Sequence, residues 1–308
     1  MAGGTLKNDR PIIGEQCHEQ AFTLIELSIV LVIIGLIVGG VLVGQNLIAS
    51  AAIRAQITQI ERFNQAVNTF FGKFRALPGD MDSVTAAQFG LPAHAGILAG
   101  NGLASNDGII ESYSSNQGTQ SGTNQFCFET AQFWSDLSSA AAGNLIPGSY
   151  ITGTCPNDLP NNIGSYLPTA ALGNSGYVFV YSNNNANYYG LAAMTQQDPG
   201  DNVAPNWPSV TVSQAYAIDK KVDDGYPTTG SVTATAAGVA LVYGAGAPYY
   251  QGASGTAATP GSAYTCYDNS ANASGTPGVA GATQHYSLEM SSGNNNTCEL
   301  SFRIQGGD

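Results

Sequence analysis

The sequence predicts an α+β fold: a long N-terminal α-helix, apolar in its first half and amphipathic in its second, packed against a C-terminal head with an antiparallel β-sheet. Three observations predict it. An apolar run from Leu27 to Val43 contains no charged residue and is polar only at Ser28. From Ile48 to Phe74, apolar residues then recur at three and four, until Leu77-Pro78-Gly79-Asp80. Beyond that, short strand-like segments alternate with loops rich in Gly, Asn, Ser, Thr and Ala. Composition narrows the function. Nine Lys and Arg stand against 21 Asp and Glu, a net charge of −12, so the surface repels polyanions and nucleic acid is not an expected partner. Fifteen Tyr, 11 Phe and 2 Trp supply enough aromatic surface for a folded body rather than a solvated tail.

The first half of the helix is counted from Phe22 to Ile48. These 27 residues carry one acidic group, Glu26. At 1.5 Å per residue they span about 40 Å, against a hydrocarbon core of about 30 Å. The β-branched residues disfavour helix in water, but an apolar solvent makes internal backbone hydrogen bonds compulsory. A secretory signal peptide would place a small-residue cleavage site after the run and a basic region before it. The preceding flank instead mixes Lys7 and Arg10 with Asp9, Glu15 and Glu19. A plain anchor leaves Glu26 unexplained, since a carboxylate within a membrane span costs a few kcal/mol. A buried core helix is seldom so long and uniformly apolar.

Residues 21–40 read AFTLIELSIVLVIIGLIVGG. An aromatic residue, TLIEL and an apolar span resemble the N-terminal processing and methylation signature of type IV pilins, type II secretion pseudopilins and competence pseudopilins. The resemblance implies that a prepilin peptidase cuts between Ala21 and Phe22 and methylates the new amino group of Phe22. It divides the chain into a leader, 1–21, a stem helix, 22–76, with 22–48 as membrane or fibre core, and a pilin head, 77–308. Glu26 lies four positions after Phe22, so its carboxylate and a freed ammonium share one side of the helix, one turn apart. An acidic side chain also suits the positive end of the helix dipole. The resemblance assigns Glu26 to assembly, facing the amino group of a neighbouring subunit.

The same resemblance implies a bacterial inner-membrane precursor that becomes an extracellular pilus filament for adhesion, motility or aggregation. Its partners would be copies of itself or other pilins, the prepilin peptidase, the inner-membrane assembly platform and the membrane. One alternative is a minor pseudopilin of a type II secretion system, in a periplasmic pseudopilus; another is a membrane-tethered binding module that never polymerises. The chain departs from the family pattern at Ala21, where glycine is preferred, and in the mixed charge of the leader. No proline interrupts the stem before Leu77. Gly35, Gly39, Gly40 and Gly44 either loosen the helix or permit close helix packing.

In the head, Asp82 or Ser83 opens a short helix, and a turn-rich stretch from Asn101 to Gly108 leads into Ile109-Ile110. Residues 129–142 form an amphipathic helix with Phe133, Leu137 and Ala140 on one side, stopped by Gly143. Strands are predicted at 177–181, 231–235 and 301–304, with loops at SNNNANYY and from Tyr249 to Ala282. Ser213 is the expected N-cap of a helix reaching about Val222 and ended by Gly225. Asp219, Asp223 and Asp224 offer oxygen ligands to a hard cation such as Ca²⁺. They lack a calcium-loop spacing, and Lys220 and Lys221 compensate the charge, so they read as a helix end and turn. Segments 77–80, 133–150 and 217–232 also look like features of pilin-like proteins.

Cys17 falls in the leader, leaving Cys127, Cys155, Cys266 and Cys298, which allow three pairings. The sequence-local choice joins Cys127 to Cys155 and Cys266 to Cys298, each closure contributing about 3.6 kcal/mol in the chain-entropy account. Without a short CxxC pair, and with only His94 and His285 beyond the leader, no metal or other cofactor is expected. The chain contains no GxSxG, HExxH, phosphate-binding GxxxxGK(S/T) or dinucleotide-binding fingerprint, and reads as non-enzymatic.

Overall fold

The computed structural model describes residues 24–92, 94, 106–110, 128–151, 163–174, 176–183, 185–194, 206–236, 266–268, 285–288, 293–294 and 296–306. Helix α1 (Leu24–Phe74) is followed by α2 (Ser83–Gln88) and α3 (Phe128–Ser138). Strands β1 (Gly176–Asn183), β2 (Ala186–Met194), β3 (Asn206–Trp207) and β4 (Val210–Thr211) lead into α4 (Val212–Val222), then β5 (Val232–Ala236), β6 (Tyr267–Asp268), β7 (His285–Tyr286) and β8 (Asn296–Arg303). This is the α+β layout of a type IV pilin-like fold, with a long N-terminal helix and a C-terminal antiparallel sheet.

Helix α1 continues through all four glycines of its apolar half. It ends where Arg75 turns left-handed, at φ 58°, its N–H still donating to the Phe71 carbonyl at 2.8 Å. Pro78 then bars resumption. The chain divides into two compact units, 1–49 and 50–308. In the first, the described helical residues expose their apolar side chains on every side, Leu24 at 89% and Leu36 at 72%.

In the second unit, α1 buries Ile53, Gln56, Ile60, Phe63, Val67, Phe70 and Phe74. The spacing alternates three and four, which keeps one stripe facing the same neighbours over six turns. Phe63 sets its ring 4.8 Å from Trp134 of α3 and 5.9 Å from Tyr189 of β2. Around this stripe, side-chain amides and one lysine join the helix to the head backbone. Gln56 accepts from the Leu172 N–H at 3.0 Å, and Gln59 donates to the Thr169 carbonyl and accepts from the Ala171 N–H. Asn68 donates to the Gln305 carbonyl while Asn64 accepts from the Gln305 N–H. Lys73 donates to the Ala141 carbonyl at 2.6 Å.

The main sheet has six strands, with the path β1-β2-β8-β4, β3 on β2 and β5 on β8, all pairs antiparallel. Register puts Val178 and Val180 opposite Leu191 and Tyr189, and those opposite Leu300 and Phe302. Because side chains alternate, these residues share one face, and Tyr189 carries that face to the stem and α3. The other face holds Phe179, Tyr181, Tyr188 and Ser301, with Tyr181 donating to the Ser301 hydroxyl at 2.6 Å and stacked on Tyr188.

Three sequence expectations need correction. The helix expected over 129–142 ends at Ser138, short of Gly143, and is buried on every side rather than one, with Ala140 exposed in the turns that follow. SNNNANYY does not remain a loop: the chain reverses around Asn185, at φ 57°, and Ala186 already pairs with Asn183. The cap of α4 is Thr211, not Ser213. Its hydroxyl accepts from the Gln214 N–H while the Gln214 side chain accepts from the Thr211 N–H, a reciprocal capping box.

A disulfide joins Cys266 to Cys298 of β8, with Cα atoms 5.1 Å apart and both residues buried. Cys127 and Cys155 lie outside the described residues.

Gly190 of β2 lies opposite Phe179, whose ring covers it: a Cβ there would sit 2.1 Å from Phe179 Cζ. Gly190→Ala is therefore expected to destabilise the head by about 1–3 kcal/mol through overpacking. Thermal unfolding of the detergent-solubilised chain measures this, and an unchanged midpoint would show that the ring moves aside freely.

Candidate functional site

The first described turn of α1 holds Glu26, exposed, beside Ser28, whose hydroxyl donates to the Ile25 carbonyl at 2.8 Å. Ala21 and Phe22 lie outside the described residues. From Leu24 to Ile48 the helix is long and apolar enough to cross a membrane, and none of its most apolar window is buried against the rest of the chain. An apolar surface on all sides of a helix has no favourable partner in water, so this segment requires lipid or other protein around it. A Cβ at Gly35, Gly39, Gly40 or Gly44 would meet nothing within 4 Å in this chain.

Immediately after the stem, Pro78-Gly79-Asp80 organises the head. Gly79 has φ +85°, and a Cβ would lie 2.3 Å from the Glu129 carbonyl, so the turn sits directly on α3. Its N–H donates to Asp136 at 2.8 Å. The buried Asp80 carboxylate accepts the N–H groups of Asn106, Asp107 and Gly108, and Asn187 of β2 holds the same loop through the Gly108 carbonyl and the Ile110 N–H. Asp82 caps α2 through the Val84 and Thr85 N–H groups. Sequence reading found the turn and the cap. It missed Asp80 as a loop anchor, for which the only signal is an aspartate beside a left-handed glycine.

Asp219, Asp223 and Asp224 do come together, each offering one oxygen within 4.8 Å of the others. These carboxylates are already engaged by protein donors. Asp219 accepts from the Gly225 N–H at 3.0 Å and the Tyr286 hydroxyl at 2.8 Å. Asp223 accepts from the Ser231 and Val232 N–H groups, and Asp224 from the Tyr226 N–H and the Thr229 hydroxyl. Together they bind the end of α4 to the turn that opens β5. A cation would have to compete with these bonds.

Three carboxyls in this unit bind their protons more tightly when folded. Burial raises Asp80 from the ordinary 3.8 to about 6, against the N–H bonds from Gly108, Asn106 and Asp107 that lower it. Burial likewise raises Asp219 to about 6, opposed by Tyr286 and Gly225. Glu299, buried within β8, is raised by burial from 4.5 to about 8. In each case the folded chain holds a proton that the unfolded chain releases. Stability therefore falls as pH rises from about 4 through 6 for the aspartates and on to about 8 for Glu299. The melting temperature of the detergent-solubilised chain is expected to be higher at pH 5 than at pH 8.5. Glu299→Gln should flatten the limb between pH 6 and 8, and a melting temperature that climbs with pH over this range would contradict the assignment.

Comparison with curated proteins and with solved structures returns no match. The prokaryotic N-terminal methylation motif matches residues 17–42, a stretch that contains Glu26 and most of the apolar half of α1. The motif and the exposed apolar helix support a membrane-anchored precursor that is a substrate of the prepilin peptidase. The chain carries, over residues 17–42, the prokaryotic N-terminal methylation motif that is the signature of type IV pilins and pseudopilins.

Proposed function

We propose that the chain is a structural subunit of a type IV pilus. It is inserted in the inner membrane, cut between Ala21 and Phe22, methylated on Phe22 and polymerised by an inner-membrane assembly platform into a surface filament for adhesion, motility or aggregation. The observation that carries this reading is the position of Glu26, inside the methylation motif and in the first turn of an otherwise apolar helical segment. The leader is then 1–21, the stem 22–76 and the head 77–308, closed by disulfides between Cys127 and Cys155 and between Cys266 and Cys298.

Cutting before Phe22 creates an ammonium one helical turn from Glu26. In water such a pair contributes about 0–1 kcal/mol. In an apolar fibre core, removing one partner leaves the other charge poorly compensated, at a cost of about 3–5 kcal/mol. The charge pair therefore matters at docking, when a subunit leaves the membrane and its stem meets those of other subunits.

Mass analysis of filament-derived protein is expected to show a chain beginning with N-methylated Phe22 and carrying two disulfides. A retained 21-residue leader would remove the basis of the reading. Surface filaments with this chain as the dominant protein support the pilus, whereas confinement to the periplasm transfers the chain to a secretion pseudopilus. Glu26→Gln, which keeps the side chain's size and removes its charge, should be inserted and cut normally yet yield few or no filaments. Near-normal filament yield would refute the charge-register role, and loss of cleavage would move that role to peptidase recognition.

A further inference from the structure

His94 lies where its sequence position gives no hint of a role. Its side chain is 5% exposed and is wedged between the turn after the stem and α3. Nδ1 lies 2.6 Å from the Met81 carbonyl oxygen, and Nε2 lies 3.1 Å from Asp136 Oδ1. A carbonyl can only accept, so Nδ1 must carry a hydrogen. Asp136, fully buried, also accepts from the Gly79 N–H at 2.8 Å and from the Gln132 side chain at 3.2 Å. The Gly79 and Gln132 N–H groups already use this carboxylate as an acceptor, and Nε2 meets its Oδ1 in a hydrogen bond of the same sense only when it too carries a hydrogen. Both ring nitrogens thus face acceptors, and the geometry is fully satisfied only by the imidazolium.

We propose that His94 is a proton-operated latch: doubly protonated, it ties the turn at Met81 to Asp136 on α3, and loss of one proton releases the segment from Met81 to Pro92. The released proton passes to solvent, and the neutral ring keeps one N–H for two acceptors. Whichever bond survives, a ring lone pair then faces an oxygen lone pair at the other. The same step withdraws the one cation within ion-pair distance of Asp136 among the described residues. What loosens is α2, with its exposed Val84, and the Phe89 that caps it, whose ring packs 5.1 Å from Phe74 at the end of the stem.

The ionisable groups on the surrounding elements favour the charged ring. Asp136 and Glu129 lie on α3, Asp80 and Asp82 in the turn, and Asp107 in the loop that Asp80 holds. Of the nearby basic side chains, Lys73 donates to the Ala141 carbonyl and Arg75 is exposed. Burial pulls the ring's proton affinity down. The hydrogen bond and charge of Asp136, the Met81 carbonyl and the charge of Asp82 together outweigh it, so the net direction is upward from 6.5. A group raised in this way contributes stability that is complete below its unfolded value and is lost as pH rises through the folded one.

The latch is independent of which filament the chain builds, and it is tested on the full chain in detergent micelles. NMR titration of the His94 ring, assigned by its absence in His94→Gln, is expected to give a pKa above 6.5. Asp136→Asn should lower that value by at least one unit. Hydrogen exchange, corrected for the intrinsic effect of pH, should show protection of residues 79–92 falling as pH rises through the His94 value, about tenfold per unit of elevation. His94→Gln should lose the step centred on the His94 value in the same peptides, while more distant core peptides should show the same pH dependence in the wild type and in the variant. A His94 pKa at or below 6.5, or protection of 79–92 that does not change through it, overturns the latch. If His94→Gln fails to fold, the ring is assigned by elimination with His18→Gln and His285→Gln, and the wild-type titration and exchange then decide the matter.

Discussion

A sheet whose alternate residues are Val178, Val180, Tyr189, Leu191, Leu300 and Phe302 has one face that must be kept from water. The stripe of α1 from Ile53 to Phe74, with α3 beside it, covers that face. Phe63 is the central contact, since its ring touches both Trp134 of α3 and Tyr189 of β2. Phe133 and Trp134 then pack edge to face against one another, at 4.9 Å, which fixes α3 between stem and sheet. The turn at Gly79, the loop at Asp80 and the cap at Asp82 follow from that placement. They connect a helix already held by its aromatic face to elements that have to return to the same sheet.

The low charge of the chain has a structural counterpart at this seam. Gln56, Gln59, Asn64 and Asn68 bond to backbone groups of the head, where a Lys or Arg could only donate and an Asp or Glu only accept. An amide does both, so Gln59 satisfies a carbonyl and an N–H two residues apart, and Asn64 with Asn68 satisfies both backbone groups of Gln305. These bonds join distant parts of the chain without the desolvation cost of burying charge. They also hold the final strand to the stem, because Gln305 lies two residues beyond the end of β8.

Much of this was legible in the sequence where a signal is local and periodic. The three-four spacing announced the stem, Gly225 marked the end of α4 to within three residues, and Tyr177 to Tyr181 read as a strand from its aromatic and β-branched residues. The strand β2 was not legible, because ANYYGLAAM has few β-branched residues and begins inside an Asn-rich run. Its strand state comes from pairing with β1 and β8 and from the Phe179 ring over Gly190. The processing motif was legible because its chemistry depends on a short contiguous segment. His94 was not, because its partners are 13 and 42 positions away and only the fold brings a carbonyl and a carboxylate to its two nitrogens.

The two halves of α1 obey different solvents while sharing one backbone. After Ser50 the helix buries one stripe and keeps Arg54, Glu61, Arg62 and Lys73 exposed, as a helix on a water-facing protein does. Before Ala49 its polar side chains among the described residues are Glu26, Ser28, Gln45 and Asn46, and a Cβ added at its glycines would meet nothing of the chain within 4 Å. In lipid this surface has a matching environment and the backbone has no alternative to its internal hydrogen bonds, so the helix needs no tertiary support. Once out of lipid the same surface would be stable only against other apolar helices, with the glycines then available for close approach. A single acidic residue at the start of such a segment costs little at the headgroup boundary and much more in an apolar bundle. The same carboxylate is thus tolerated by one of the two environments and demands charge compensation in the other.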